Sequence, residues 1–393
     1  MAQTNLLGEA LPLAPLKIVA LPGCEDLAKT VDKFIVDYRK GICKDYPAKK
    51  NAFGYLEDSY LLDCECPRFG SGEAKGTLLE SVRGADLFLI VDVCNYSITY
   101  NAFGNENHMS PDDHYQNLKR IIDATIGACH RINVIMPFLY ESRQHKRSRR
   151  ESLDAAACLR ELVSMGVSNI ITFDAHDPRV ANAIPLTSFE NFFPTYQFLK
   201  ALLKSFKGLD TGKDKLMIIS PDEGAMSRAV YFSNVLGVDM GMFYKRRDYA
   251  HVVNGKNPII AHEFLGAPVE GKTCIVIDDM ISSGGSMLDV ASQLKQRGAS
   301  RVIVCVTYGL FTEGLEKFDK YYEKGIIDKV ISTNLIYQPQ ELLDRPWYAS
   351  AKMGKYMANI IDALNHDVSI NKVRDNTYKI NKLLRRLKEE KVQ

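Results

Sequence analysis

The segment from Thr273 to Ser286, TCIVIDDMISSGGS, restricts the fold more than any other part of the chain. An apolar, largely β-branched run (Cys274, Ile275, Val276, Ile277) meets two carboxylates, Asp278 and Asp279, and then a loop of serines and glycines. Leu288, Val290, Ala291 and Leu294 follow at helical spacing. A short apolar run closed by turn chemistry reads as a buried strand, and the later spacing reads as an amphipathic helix. The segment is therefore a strand, a small-residue loop and a helix N-terminus.

Such a junction is an anion site. Backbone N–H groups and the positive end of the helix dipole face the loop, and Gly284 and Gly285 let a phosphate approach the main chain. Ser282, Ser283 and Ser286 add hydroxyl donors. The loop lacks the Lys-Ser/Thr of a P-loop, and its glycines are adjacent rather than spaced as in a dinucleotide fingerprint. Two acids ahead of a phosphate cradle suit a phosphorylated sugar: the loop holds the phosphate, and Asp278 and Asp279 accept hydrogen bonds from vicinal hydroxyls. A plain turn with Ser286 as N-cap is the bland alternative, and it leaves the paired acids unexplained. These residues resemble the phosphoribosyl pyrophosphate motif of type I phosphoribosyltransferases and their relatives.

With 393 residues there is room for two domains, each with its own core. A net charge of +2 excludes a dominant nucleic-acid field or an acidic tail. No apolar run approaches the ~20 residues a bilayer requires, and no basic-then-apolar leader opens the chain. Nine dispersed cysteines point to reduced thiols in a cytoplasmic setting. Cys64-x-Cys66 has no second pair to complete a zinc site and reads as structural.

Strand and helix patterns alternate along almost the whole chain, and the alternation occurs twice. Strands are expected at 17–21, 86–93, 132–138 and 168–173, with helices at 25–39, 114–130 and 153–165. In the second half strands are expected at 215–220, 240–244, 301–307 and 329–332 besides the opening motif. The expected fold is α/β: two tandem doubly wound, mostly parallel sheet domains of the type I phosphoribosyltransferase kind. Their limits are 16–190 and 191–348, after a loosely ordered lead-in at 1–15. A helix at 349–366 is expected to complete the first domain. Residues 95–111 read as an irregular loop, and 367–393 as a basic amphipathic extension suited to a surface or an oligomer contact.

Polar residues gather where strands end, the usual place for ligands in open α/β sheets. The segment from Glu141 to Arg150 carries four arginines and a lysine. It has no interleaved aromatics for stacking bases, so a triphosphate suits it better than RNA. Asp174-Ala175-His176-Asp177 sets a histidine between acids, a metal or phosphate candidate. Ser220-Pro221-Asp222 and Lys245-Arg246-Arg247 occupy equivalent places.

In this order the motifs resemble the ribose-phosphate pyrophosphokinase (phosphoribosyl pyrophosphate synthetase) family, from about residue 17 to about residue 364. Arg68-Phe69-Gly70-Ser71-Gly72-Glu73 is similar to the family's Arg-Phe-x-x-Gly-Glu loop, which reaches the adenine of ATP in a neighbouring subunit. Arg143-Gln144 and the cations after it resemble the ATP-binding, mobile catalytic segment. Asp174-x-His176 resembles the Asp-Leu-His element, whose histidine contacts magnesium and the ATP phosphates. Ser220-Pro221-Asp222 resembles the Ser-Pro-Asp element, whose aspartate also serves magnesium. Lys245-Arg246-Arg247 resembles the catalytic arm. Departures mark a divergent member: Ser71 stands where Asp or Asn is usual, His145 for Asp, Ala175 for Leu, Ser282 for a loop Asp, and Glu223-Gly224-Ala225 for a more Gly-rich turn.

The resemblance implies transfer of the diphosphoryl group of ATP to the C1 hydroxyl of ribose 5-phosphate, releasing AMP. Its implied roles are charge stabilisation by Lys245, Arg247 and Arg143, and ATP binding by Phe69, Glu73, Arg143, Gln144 and His176. Ribose 5-phosphate falls to Asp278, Asp279, Ser282, Ser283, Gly284, Gly285 and Ser286, and Mg2+ to His176 and Asp222. A homo-oligomer built on dimers, up to a hexamer, is implied because the adenine contact crosses subunits; neither nucleic acid nor membrane is an expected partner. Three other readings stand beside it. A basic RNA-binding role rests on residues 143–150 alone, and the near-neutral net charge argues against it. A phosphoribosyltransferase explains residues 274–286 but not two domains or the Arg143 loop. A catalytically silent regulatory subunit is expected to have lost cations or acids that this chain keeps.

Overall fold

The computed structural model describes residues 7–247 and 259–390, with the backbone alone for 245–247, 259–262 and 386–390. It divides into two compact units. The first takes the chain up to Pro194 together with Asn334–Tyr337 and Lys352–Asp375; the second takes Thr195–Thr333, Gln338–Ala351 and the chain from Asn376. Both are doubly wound α/β units. No described helix is long and apolar enough to cross a membrane.

The first unit is built on a six-stranded sheet in the order Ser188–Phe192, Val167–Phe173, Arg131–Ile135, Asp86–Ile90, Leu16–Ala20, Leu61–Leu62. Every pairing in it is parallel. Helices cover both faces of such a sheet, so its strands lose the alternation of a half-exposed one and read as continuous apolar runs. The central strand DLFLI is buried at every position. The helix Pro111–Ala124 begins three residues before the expected start because Ser110 and Asp113 form a reciprocal capping box with Pro111 as first helical residue.

The second sheet has seven strands in the order Ile259–Leu265, Asp239–Arg247, Leu216–Ser220, Thr273–Ile281, Arg301–Gly309, Lys329–Thr333, Tyr348–Ala351. Only the outermost pair, Asp239–Arg247 with Ile259–Leu265, is antiparallel.

Two sequence expectations need correction. The helix expected over 349–366 begins only at Gly354; Tyr348–Ala351 is instead an edge strand, parallel to Lys329–Thr333. Helix-forming alanines suggested a helix there, but Tyr348 and Ala351 are buried by the sheet, and that tertiary term wins. Residues 95–111 are not irregular: Thr99–Ala102 and Asn105–His108 form a hairpin closed by Phe103 and Gly104, both at positive φ (52° and 75°). The C-terminal extension includes the amphipathic surface helix Thr377–Glu390, whose apolar side packs on its own unit. Ile380 is fully buried, and Leu383 and Leu384 pack against the core cluster that includes Phe198, Leu199 and Leu202 of Thr195–Ser205.

Candidate functional site

In the second unit the chain moves outward in one direction from Leu216–Ser220 and returns on its other side as Thr273–Ile281. That reversal opens a crevice at the strands' carboxyl ends, where ligands of open α/β sheets bind. Asp222 follows the carboxyl end of Leu216–Ser220, and the Asp278–Ser286 stretch spans the carboxyl end of the adjacent strand Thr273–Ile281. The strand does not stop at Ile277 as the sequence suggested. It runs to Ile281, so both acids lie within it, and Asp278 stands opposite Val306 of the next strand.

Alternation along the strand then gives the acids different surroundings. Asp279 is buried and Asp278 is half-buried. The Asp279 N–H donates to Asp278 Oδ1 at 2.8 Å, while Arg228 Nη2, from the helix Met226–Leu236, lies 3.8 Å from Asp279 Oδ2. Burial holds the Asp278 carboxyl well above the usual carboxylate range, and the negative charges of Asp279 and Asp222 add to the effect. Asp222 Oδ1 accepts the N–H groups of Gly224 (3.0 Å) and Ala225 (3.3 Å), and the Ser220 hydroxyl donates to its main-chain oxygen at 2.7 Å. The result is a cluster of three acids in which ionising Asp278 is costly. Cations or sugar hydroxyls relieve that cost.

The loop after the acids leads directly into a helix N-terminus. Gly284, at φ 83°, is the N-cap of the helix Gly285–Gln296 and no side chain caps it, so Ser286 lies in the first turn rather than at the cap. A β-carbon on Gly284 would stand 2.5 Å from the Phe318 ring. The fold itself therefore demands glycine there. Gly285 differs: its φ is not in the left-handed region, and a β-carbon would meet nothing within 4 Å. Nothing in the fold requires glycine at 285, in contrast to Gly284. Ser282 and Ser283 are half-buried, and the Thr312 N–H holds the loop by donating to the Ser282 carbonyl at 3.0 Å.

In the first unit, Phe69 and Glu73 sit on a tight loop closed by the Phe69 N–H donating to the Glu73 carbonyl at 2.7 Å. Arg68 anchors it: its guanidinium lies 4.2 Å from the Tyr100 ring centroid and donates to the Gly72 carbonyl (2.9 Å) and to Asp113 Oδ1 (3.1 Å). The loop thus presents Phe69, 55% exposed, and the exposed Glu73 carboxylate outward, the latter hydrogen-bonded by the Ser71 hydroxyl at 2.9 Å.

Arg143 is exposed in the loop after Arg131–Ile135. Gln144 uses its side-chain amide to brace that loop, donating to the Ser152 (2.8 Å) and Lys146 (3.3 Å) carbonyls. His176 is exposed beyond Val167–Phe173, on a turn fixed by the Asp174 N–H donating to the Phe192 carbonyl (2.8 Å) and the Ala175 N–H donating to Asn191 Oδ1 (3.1 Å). The positioning strand, Ser188–Phe192, was not foreseen; its aromatic pair Phe189 and Phe192 was the only signal. Hydrogen bonds from Arg179 are the main reason the Asp177 carboxyl is lowered to about 2.

Lys245 and Arg247 lie on the backbone of Asp239–Arg247, with a register shift between Arg246 and Arg247. Their side chains are outside the described residues. Arg228, which contributes the cation beside Asp279, was missed as a site residue because nothing in the sequence distinguishes it from any helical arginine.

Comparison with known proteins agrees with this organisation. Residues 16–166 match the model of the N-terminal domain of ribose phosphate pyrophosphokinase, and residues 199–343 match the phosphoribosyl transferase domain. The ribose-phosphate pyrophosphokinase of Thermosipho africanus is 31% identical over 285 residues, covering 70% of this chain and 80% of the relative. The chain belongs to the ribose-phosphate pyrophosphokinase family. The relative from Vibrio parahaemolyticus is 29% identical and covers 79% of this chain and 90% of its own length. In fold, the chain is similar to a phosphoribosylpyrophosphate synthetase from Mycobacterium smegmatis, with a TM-score of 0.69 at 22% identity, covering 90% of this chain and 99% of that one.

Proposed function

We propose that the protein transfers the diphosphoryl group of ATP to the C1 hydroxyl of ribose 5-phosphate, giving 5-phosphoribosyl 1-diphosphate and AMP. The C1 oxygen bonds to the β-phosphorus as the bond from that phosphorus to the α-phosphate oxygen breaks, AMP leaves with the electron pair, and the hydroxyl proton is released to water. The observation carrying the proposal is the pairing of Asp278 and Asp279 with a cradle whose Gly285 the fold does not require. Asp278 and Asp279 hold the ribose hydroxyls, and Ser282, Ser283, Gly284, Gly285 and Ser286 seat the 5-phosphate.

Enzymes of phosphoryl transfer act mainly by positioning and charge neutralisation. Arg143, Lys245 and Arg247 supply positive charge to the transferring and leaving groups. Phe69 and Glu73 contact adenine, and their outward presentation supports binding to a neighbouring subunit's nucleotide in a dimer-based homo-oligomer, up to a hexamer. Gln144 acts by holding the Arg143 loop in shape. Among the described residues no cluster of three or more His, Cys, Asp or Glu is arranged to hold a metal by itself. A divalent cation must then draw on substrate oxygens and water, which is the habit of Mg2+ with nucleotides. The acids around Asp222 in the second unit suit such a cation, and Mg2+ would be served by Asp222 there and by His176 in the first unit, neutralising phosphate charge. Nine unpaired cysteines support a reducing, cytoplasmic location.

The test is AMP formation by the purified chain given ATP, Mg2+ and ribose 5-phosphate, each omitted in turn. AMP that requires all three is expected. No AMP, with ribose 5-phosphate still raising the melting temperature, refutes catalysis and leaves a regulatory subunit with an intact sugar site.

A further inference from the structure

The hairpin of Thr99–Ala102 and Asn105–His108 is joined to the loop that carries Phe69 and Glu73. At its tip the Phe103 N–H donates to the Gly70 carbonyl at 2.9 Å. Behind the tip, the Tyr100 ring lies 4.2 Å from the Arg68 guanidinium, and a β-carbon on Gly72 would stand 3.5 Å from the Ala102 β-carbon. Hairpin and loop are therefore one surface. Phe103 is 81% exposed on it, and Phe69, next in chain to Gly70, is 55% exposed.

The turn itself does not need an aromatic residue. Ala102 pairs with Asn105 across a two-residue connection whose central residues have φ of 52° and 75°. Positive φ at both positions is the type I′ pattern, in which Asn-Gly is favoured. A bulky side chain in the left-handed region is strained. Phe103 meets that strain and also leaves its ring in water, so it gains little packing in return. Local rules broken without a gain to the fold are expected at functional positions.

We propose that Phe103 is a second aromatic contact for the nucleobase, forming with Phe69 a platform for the purine ring of a neighbouring subunit's nucleotide. The proposal rests on the reading that Phe69 and Glu73 contact adenine, and adds to it a residue from a separate element. Aromatic side chains suit a platform because they offer large area and have few torsions to immobilise. The hairpin supplies the rest of the rigidity. The Phe103 main chain is tied to Gly70, and Tyr100 is stacked on Arg68, which donates to Asp113 of the helix Pro111–Ala124. Stacking tolerates any base but strengthens with ring area, so two aromatics favour a purine over a pyrimidine. Glu73 adds what stacking cannot, an acceptor for an amino group. The hairpin thus reads ring size, and the loop reads the amino group.

The experiment is calorimetric titration of the full-length protein with the α,β-methylene analogues of ATP and CTP, which bind without turnover, alongside AMP formation at varied ATP. Phe103→Asn is the informative variant, because asparagine suits the left-handed turn and removes the ring. It is expected to melt at or above the wild-type temperature and to keep the wild-type oligomer mass. Its affinity for the ATP analogue is expected to fall by about tenfold, the size of one base–aromatic contact. The preference for the ATP analogue over the CTP analogue should fall by about threefold or more, which a merely structural role would not produce. KM for ATP should rise by a similar factor, with kcat much less affected. Phe103→Trp should restore both affinity and preference. A folded Phe103→Asn with unchanged affinity and preference overturns the proposal. So does a loss that Phe103→Trp fails to restore, or one that comes with a lower melting temperature or a changed oligomer mass. Phe69→Ala separates this proposal from the reading beneath it. An affinity unaffected by Phe69→Ala refutes the placement of adenine and the platform with it, whereas a loss in Phe69→Ala but not in Phe103→Asn refutes the hairpin contact alone. Weakened analogue binding in Phe103→Asn without AMP formation by the wild type refutes the proposed activity and leaves the platform standing.

Discussion

Adjacent glycines at 284 and 285 allow scaffold and ligand requirements to be separated by one methyl group. Gly284→Ala places a β-carbon 2.5 Å from two atoms of the Phe318 ring, and Phe318 is fully buried. The clash has no easy exit, and overpacking of this kind costs about 1–3 kcal/mol. The backbone sits at φ 83°, where an alanine adds about 1 kcal/mol more. The sum is about 2–4 kcal/mol, or about 4–16 °C in melting temperature if this unit responds like other domains of its size. Gly285→Ala meets open space at an ordinary φ. Reduced freedom of the unfolded chain should make it neutral to stabilising by about 0.4–1 kcal/mol. If a phosphate rests against residue 285, the same methyl group raises the KM for ribose 5-phosphate by about tenfold or more, the loss of one good contact of about 1.4 kcal/mol. The assays are thermal melting of both variants and melting of Gly285→Ala against increasing ribose 5-phosphate. A Gly285→Ala protein that melts as expected yet gains full protection from ribose 5-phosphate refutes the placement of the phosphate. A Gly284→Ala protein as stable as wild type refutes the steric reasoning.

Other perturbations test other parts of the chain. Lys245→Ala should lower turnover by about two decades or more, with the melting temperature and ribose 5-phosphate protection unchanged; unchanged turnover removes it from the mechanism. Asp92 is buried at the end of Asp86–Ile90, accepts the Cys94 (2.9 Å) and Tyr337 (2.6 Å) N–H groups, and is pushed up to about 6 by burial. Its folded pKa exceeds the unfolded value of about 3.9, so stability falls as pH rises from about 4 to about 6, by about 3 kcal/mol in all. Asp92→Asn should remove that slope in urea unfolding, and parallel pH profiles for the two proteins would refute it. Arg39 and Asp362 form a buried pair, Nε donating to Oδ1 at 2.8 Å. Asp362→Asn should cost about 3–5 kcal/mol, and the double replacement Arg39→Met, Asp362→Leu should cost less than the single one.

The parallel sheets were legible because their strands are buried on both faces and so carry unbroken apolar runs, as in Asp86–Ile90. The site loops were legible because an α/β sheet delivers its strand ends to one edge. Elements whose stability comes from partners distant in sequence were not. Tyr348–Ala351 looks helical until Lys329–Thr333 pairs with it, and Ser188–Phe192 has too little pattern to stand out. The hairpin at 99–108 has polar residues on both faces and turns through Phe103-Gly104 instead of the favoured Asn-Gly. The acids Asp278 and Asp279 were placed beyond their strand because carboxylates rarely continue one. The approach of His145 to His176 depends on two loops that only the fold brings side by side.

The first unit is discontinuous in sequence, and this has a consequence for biosynthesis. Arg39 finds its carboxylate partner only after 323 further residues have been made. At about 5–20 residues per second the ribosome needs about 15–65 s to supply Asp362. Throughout that time the face of Glu25–Asp45 that will receive Gly354–Asn365 is incomplete, with a guanidinium set in its apolar surface. A chain stopped at Ala351 should therefore leave the first unit incomplete and be degraded, even though the strands of both sheets have all been synthesised.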